Sequence, residues 1–162
     1  GGLYIDAELT IRTSLAPNPK FLKKSFEDSS ASQVAKFENA FSGNYVFSGS
    51  SMSLGIFPSS YQVSFWYYQS GQWKYNSYTH NGGSVVINKP FGALYIDEVR
   101  VQPKNTTMTS TTIIPLIGSS SILDDRGDGD RYEFDLFGKK LFTFDKDRNV
   151  IEESRRNYKL NN

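Results

Sequence analysis

Aromatic rings set among amide side chains, and one carboxylate inside an apolar strand, are the residues of this chain whose types and spacing suit chemistry. In the stretch Tyr61 to Tyr68 the two-residue period puts Tyr61, Val63, Phe65 and Tyr67 on one face and Gln62, Ser64, Trp66 and Tyr68 on the other. The first face belongs in a core, and the second sets aromatics among polar groups. Trp73, Tyr75 and Tyr78 follow within ten residues. Aromatic planes stack on the C–H faces of sugar rings, and amides or amines fix the hydroxyls. Trp66, Tyr68, Trp73 and Tyr75 are therefore candidate glycan contacts, with Gln69, Gln72, Lys74 and Asn76 as candidate polar partners. The competing use of the same rings is core packing or a contact between domains.

The carboxylate is Asp97, in the strand Tyr95 to Pro103. Strict alternation places Tyr95, Asp97, Val99 and Val101 on one face and Leu94, Ile96, Glu98 and Arg100 on the other. The valines mark the first face as core, which takes Asp97 inward. A buried carboxylate needs donors or a cation to offset its desolvation, so Asp97 either holds backbone N–H groups or ligates a metal. Other chemistries find little support. The chain has no cysteine and one histidine, which excludes thiolate catalysis and the usual zinc triads. No Ser/His/Asp or paired-carboxylate spacing stands out, and His80 reads as a loop residue. The run Asp124 to Asp130 fails the EF-hand pattern because Arg126 occupies a ligand position. It reads as a hairpin turn, and its Arg126-Gly127-Asp128 as a chance match to an integrin motif.

The elements that must position these residues are strands. Aromatics make up 15% of the chain and Phe and Tyr dominate them, a composition that favours sheet. Leu3 to Arg12 alternates cleanly, and Leu15 to Pro19 breaks regular structure. Phe21 to Lys36 has some helical character but too much serine for a helix beyond two turns. Short strands follow at Tyr45–Phe47, Met52–Phe57, Tyr61–Tyr68, Gln72–Tyr78, Ser84–Asn88 and Leu94–Val101, the spacing of a sandwich or barrel. A Thr-rich linker, 104–114, precedes a second meander through Tyr132–Asp135, Lys140–Phe144 and Val150–Ile151, and the polar tail beyond 155 reads as frayed. A net charge of +1 provides no field for nucleic acid. No apolar run approaches the roughly 18 residues of a membrane span, and the N-terminus carries no signal-peptide pattern.

The second meander resembles the YD repeats of RHS-family surface proteins of Bacteroidota. The resemblance is carried by Pro115-Leu116-Ile117-Gly118, Tyr132-Glu133-Phe134-Asp135, Phe137-Gly138-Lys139-Lys140-Leu141 and Asp145 to Ile151. Lys139 stands where the pattern has Arg, and Arg148 where it has a turn Gly. The preceding part is similar to jelly-roll carbohydrate-binding modules at Ser25 to Asp28, Asn39 to Tyr45, Val63 to Tyr67 and Tyr95 to Val99. The resemblance implies four parts: an N-terminal strand and linker at 1–24, fitting the end of a preceding domain, a jelly-roll domain at 25–103, the linker, and a degenerate YD hairpin at 115–162. It also implies a structural calcium with Glu27 and Asp97 as ligands, and a secreted or cell-surface location. The expectation is an all-β, antiparallel jelly-roll-like sandwich followed by a small meander. Its expected role is non-catalytic and adhesive, with polysaccharide as partner. The alternatives are a structural module that packs against neighbouring domains of a larger RHS-like protein and, behind both, a glycoside-processing enzyme.

Overall fold

A computed structural model describes residues 7–12, 19–27, 31–114, 116–124, 128–135, 137–145 and 147–154, with 7–12 and 114 described for the backbone only. Among these residues there are strands and no helix. In chain order they are β1 (Ala7–Arg12), β2 (Leu22–Lys24), β3 (Val34–Lys36), β4 (Tyr45–Phe47), β5 (Ser51–Gln69), β6 (Gln72–Asn88), β7 (Tyr95–Pro103), β8 (Thr107–Ile114), β9 (Gly118–Leu123), β10 (Gly129–Phe134), β11 (Lys140–Phe144) and β12 (Val150–Glu153). One sheet runs β3-β4-β7-β5-β6 with β2 also on β7; the other runs β1-β8-β9-β10-β11-β12. Every strand pairing is antiparallel, so the molecule is an antiparallel all-β, sandwich-like fold.

The apolar core lies on one face of the first sheet. Met52, Leu54, Phe57, Val85 and Ile87 from the far half of the β5–β6 hairpin join Tyr61, Val63, Phe65, Ile96, Val99 and Val101 in a single cluster. For both halves of one hairpin to share a core, the hairpin has to bend over on itself. It does so where its register shifts, between Ser53 and Gly55 and between Ser59 and Tyr61. Gly55, Ser60, Gly82 and Gly83 all take positive φ there, a conformation that glycine adopts without a Cβ penalty. The breaks expected between Phe57 and Tyr61 and between Tyr78 and Ser84 are therefore bends inside two long strands. The inward face of the Tyr61 stretch is as its alternation predicts: Tyr61, Val63 and Phe65 are buried, and Tyr67 packs against the same cluster.

Strict alternation fails at one place in β7. Ser64 pairs with Arg100 and Trp66 with Asp97, so two residues, Glu98 and Val99, oppose the single Phe65. This is a β-bulge, with Glu98 at φ +50°. Past it the parity reverses, so Ile96 joins Val99 and Val101 in the core, while Asp97 shares the opposite face with Arg100. Asp97 is buried, as read, but on the face away from the valines.

That opposite face meets the second sheet. The stretch read as a Thr-rich linker is in fact β8, which carries β1 on one side and β9 on the other. Ser110, Thr112, Ser121 and Leu123 are buried on the second sheet's inner face. The N-terminal strand thus joins the sheet of the C-terminal meander, while β2 joins the first sheet. The β10-β11-β12 meander follows its predicted turns. Parts of the break expected at Leu15–Pro19 and of the turn expected at Asp124–Asp130, and the tail expected beyond 155, lie outside the described residues.

Candidate functional site

The bulged face of the first sheet divides into a charged half and an aromatic half. In the charged half, Glu98 Oε1 lies 3.1 Å from Lys23 Nζ and Glu98 Oε2 lies 3.5 Å from Arg100 Nη2, all with side chains at most 4% exposed. Ser42 Oγ and Thr112 Oγ1 both donate to Glu98, Thr112 at 3.0 Å. Arg100 reaches Ser110 Oγ at 2.6 Å and the Asp124 carbonyl, and Lys23 donates to Thr112 Oγ1 at 2.6 Å. Burial alone would raise the Glu98 carboxyl, but Lys23, Arg100 and the Ser42 hydroxyl outweigh it and hold it at about 2. Asp97 goes the other way. Burial and the neighbouring Glu98 charge push it well up, against the N–H groups of Ser42 and Glu98. The enclosure leaves this cluster no access to a substrate. It is the joint between the sheets.

Asp97 and Glu27, the expected calcium ligands, both serve the loop at 41–45. Asp97 Oδ2 accepts from Ser42 N at 2.9 Å and Oδ1 from Glu98 N at 2.7 Å. Glu27 Oε1 accepts from Asn44 N at 3.0 Å and Tyr45 N at 3.2 Å, and a side chain at Gly43 would collide with it. These N–H donors turn their positive ends toward both carboxylates. Among the described residues no set of three or more His, Asp or Glu gathers to hold a metal. In this structure the two carboxylates hold the backbone of the 41–45 loop.

In the aromatic half, β5 and β6 pair Trp66 with Tyr75 and Tyr68 with Trp73, so the four expected glycan contacts share one face. Tyr68 and Trp73 centroids are 5.3 Å apart, as are those of Trp66 and Tyr75. The loop from Phe37 to Asn44 folds onto them. Phe41 stacks on Trp66 at 4.1 Å and 17°, Phe37 packs edge-on against Tyr68 at 5.0 Å, and Trp73 Nε1 donates to the Asn39 carbonyl at 2.8 Å. From the second sheet, the Arg131 guanidinium lies 3.8 Å above the other side of Phe41. Burial lowers Arg131 to about 10, and Arg148 nearby adds to the shift.

Trp66, Tyr68, Gln72 and Trp73 line a cleft of about 590 Å³ with Asn39, Phe41, Asp147 and Arg148. The volume is within the range of small-molecule sites, roughly 300–1,000 Å³. Trp66 Nε1 is buried and has no acceptor among the described residues. Tyr75 borders the rings at 39% exposure. Other expected residues are elsewhere. Lys74 and Asn76 pair with Tyr67 and Phe65, and Tyr78 pairs with Val63, which puts all three on the core-side face. Lys74 bonds Gln69 Oε1 at 2.8 Å. Alternation on β6 separates Lys74 from Trp73, as it separates Tyr67 from Tyr68 on β5. Of the expected polar partners Gln72 lines the cleft, and its other polar groups come from Asn39, Asp147 and Arg148, on loops distant in sequence, where no local period could find them.

Comparison with protein families, with curated proteins and with solved structures finds no match for this chain.

Proposed function

We propose that this chain is a non-catalytic module of a secreted or cell-surface bacterial protein that binds polysaccharide in the cleft lined by Trp66, Tyr68 and Trp73. The observation that carries the reading is that these rings, brought together by one hairpin, form a wall whose floor and rim supply amide, carboxylate and guanidinium groups. Aromatic faces with a few polar groups are what a sugar requires. The resemblance of the flanking segments to carbohydrate-binding modules and RHS-type surface proteins agrees with this. The test is affinity electrophoresis through gels containing linear β-glucan, xylan or polygalacturonate, comparing the parent with Trp73→Ala. Retardation of the parent on at least one, lost or reduced severalfold in the variant, supports the reading. No retardation on any contradicts it.

A second reading has its own observation. Phe41 is held between Trp66 and Arg131, so part of the aromatic half already joins the two sheets. In that reading the module packs within a larger RHS-like assembly, and truncating Trp66 lowers stability while the chain binds no glycan.

A further inference from the structure

A second cleft of about 530 Å³ lies on the other side of the Asn39–Asn44 loop, with Ile117, Phe134 and Phe144 as its apolar surface and Glu133 and Arg131 as polar members. Both clefts are lined by Asn39, Phe41 and Arg148. Two of these shared residues, Asn39 and Arg148, are joined by their side chains. Arg148 reaches from the β11–β12 turn and donates to Asn39 Oδ1 at 3.2 Å and to the Ala40 carbonyl. Asn39 and Arg148 are themselves exposed, so the bridge presents an amide and a guanidinium to anything lying across it. Arg148 also holds φ at +64°, a left-handed backbone that favours glycine. A glycine would meet the turn at less cost, so an arginine there calls for a use of its side chain.

We infer that the two clefts form one continuous site for a linear polysaccharide, with the chain passing over Asn39 and Arg148 and Arg148 acting as a ligand-contacting residue between the two halves. This rests on the glycan reading above and extends it. A ligand confined to the aromatic cleft would be a terminal sugar or a disaccharide. One that spans both is an internal run of a longer chain. Sugars in the second cleft would lie on the edges of Phe134 and Phe144, and the guanidinium of Arg148 would donate to hydroxyl or carboxylate oxygens at the crossing.

Isothermal titration of the whole chain with disaccharides and hexasaccharides of the cello, xylo and galacturono series tests this. The expected result is a hexasaccharide bound about tenfold or more tighter than its disaccharide, a factor equal to about 1.4 kcal/mol. Arg148→Gly should abolish most of that length dependence, and Glu133→Ala, at an exposed position of the second cleft, should weaken hexasaccharide binding alone. Equal affinity for short and long ligands, with both variants unchanged and Trp73→Ala still defective, would overturn the extended site and leave the aromatic cleft standing. Binding of none of the ligands by the parent overturns the glycan reading itself, and this inference with it.

Discussion

Glu98 sits at the bulge of β7 with both of its neighbours in charge, Lys23 and Arg100, buried beside it. Removing its charge leaves two cations without a counter-ion in a dry joint, so Glu98→Gln should destabilise the fold by roughly 3–5 kcal/mol, read from urea unfolding. The pH dependence follows from the directions of the two carboxyls. Glu98 is held at about 2 against an ordinary 4.5. Its contribution is therefore complete above about 4.5 and is lost as the pH falls from there toward 2. Asp97 is raised above its ordinary 3.8, so its charge costs stability at neutral pH, and that cost is relieved as the pH falls through its raised value. Melting temperature should thus rise on mild acidification and drop on strong acidification, and Asp97→Asn should remove the rise. A flat wild-type profile across the mildly acidic range would contradict this account of Asp97. Because Glu27 and Asp97 hold N–H groups, melting in excess chelator and in millimolar calcium should coincide. A gain of several degrees, the size of effect given by about 2.7 kcal/mol at a hundredfold excess of ligand over Kd, would argue for a bound cation.

At the scale of elements, the long β5–β6 hairpin is defined by its bends. Gly82 has φ +96°, and a Cβ there would lie 3.3 Å from Ser59 N. Gly82→Ala should therefore cost roughly 1–3 kcal/mol, measurable as a shift of the urea midpoint at unchanged slope. The alternation of Tyr61, Val63 and Phe65 was legible because those residues face an apolar core. The Thr107–Ile114 strand was not, because its buried residues Ser110 and Thr112 face the charged joint, and hydrophobic periodicity is silent where the buried surface is polar. Its run of β-branched threonines was the available signal. The bulge was invisible for a different reason. An extra residue leaves no mark on composition, yet it moved Asp97 and Ile96 to opposite faces from those the two-residue period assigns. The aromatic pairing on β5 and β6 could be read locally. The Asn39, Asp147 and Arg148 side of the cleft is joined only by tertiary packing.

For the molecule as a whole, the two sheets are joined by ions, hydroxyls and arginines on carbonyls, Arg100 on that of Asp124 among them. Arg131 donates to the carbonyls of Phe41 and Asp145, and Arg148 to that of Ala40. This joint fixes the Asn39–Asn44 loop against the aromatic face and so shapes the cleft. The chain has two tryptophans, and both line that cleft, so intrinsic tryptophan emission reports on the site with no background from elsewhere. The most direct measurement is a titration of that emission with whichever soluble polysaccharide retards the protein in gels. The expected result is a saturable shift in emission, halved or lost in Trp73→Ala. A polysaccharide that is retained while the emission of both tryptophans stays unchanged at saturation would place binding elsewhere and contradict the account.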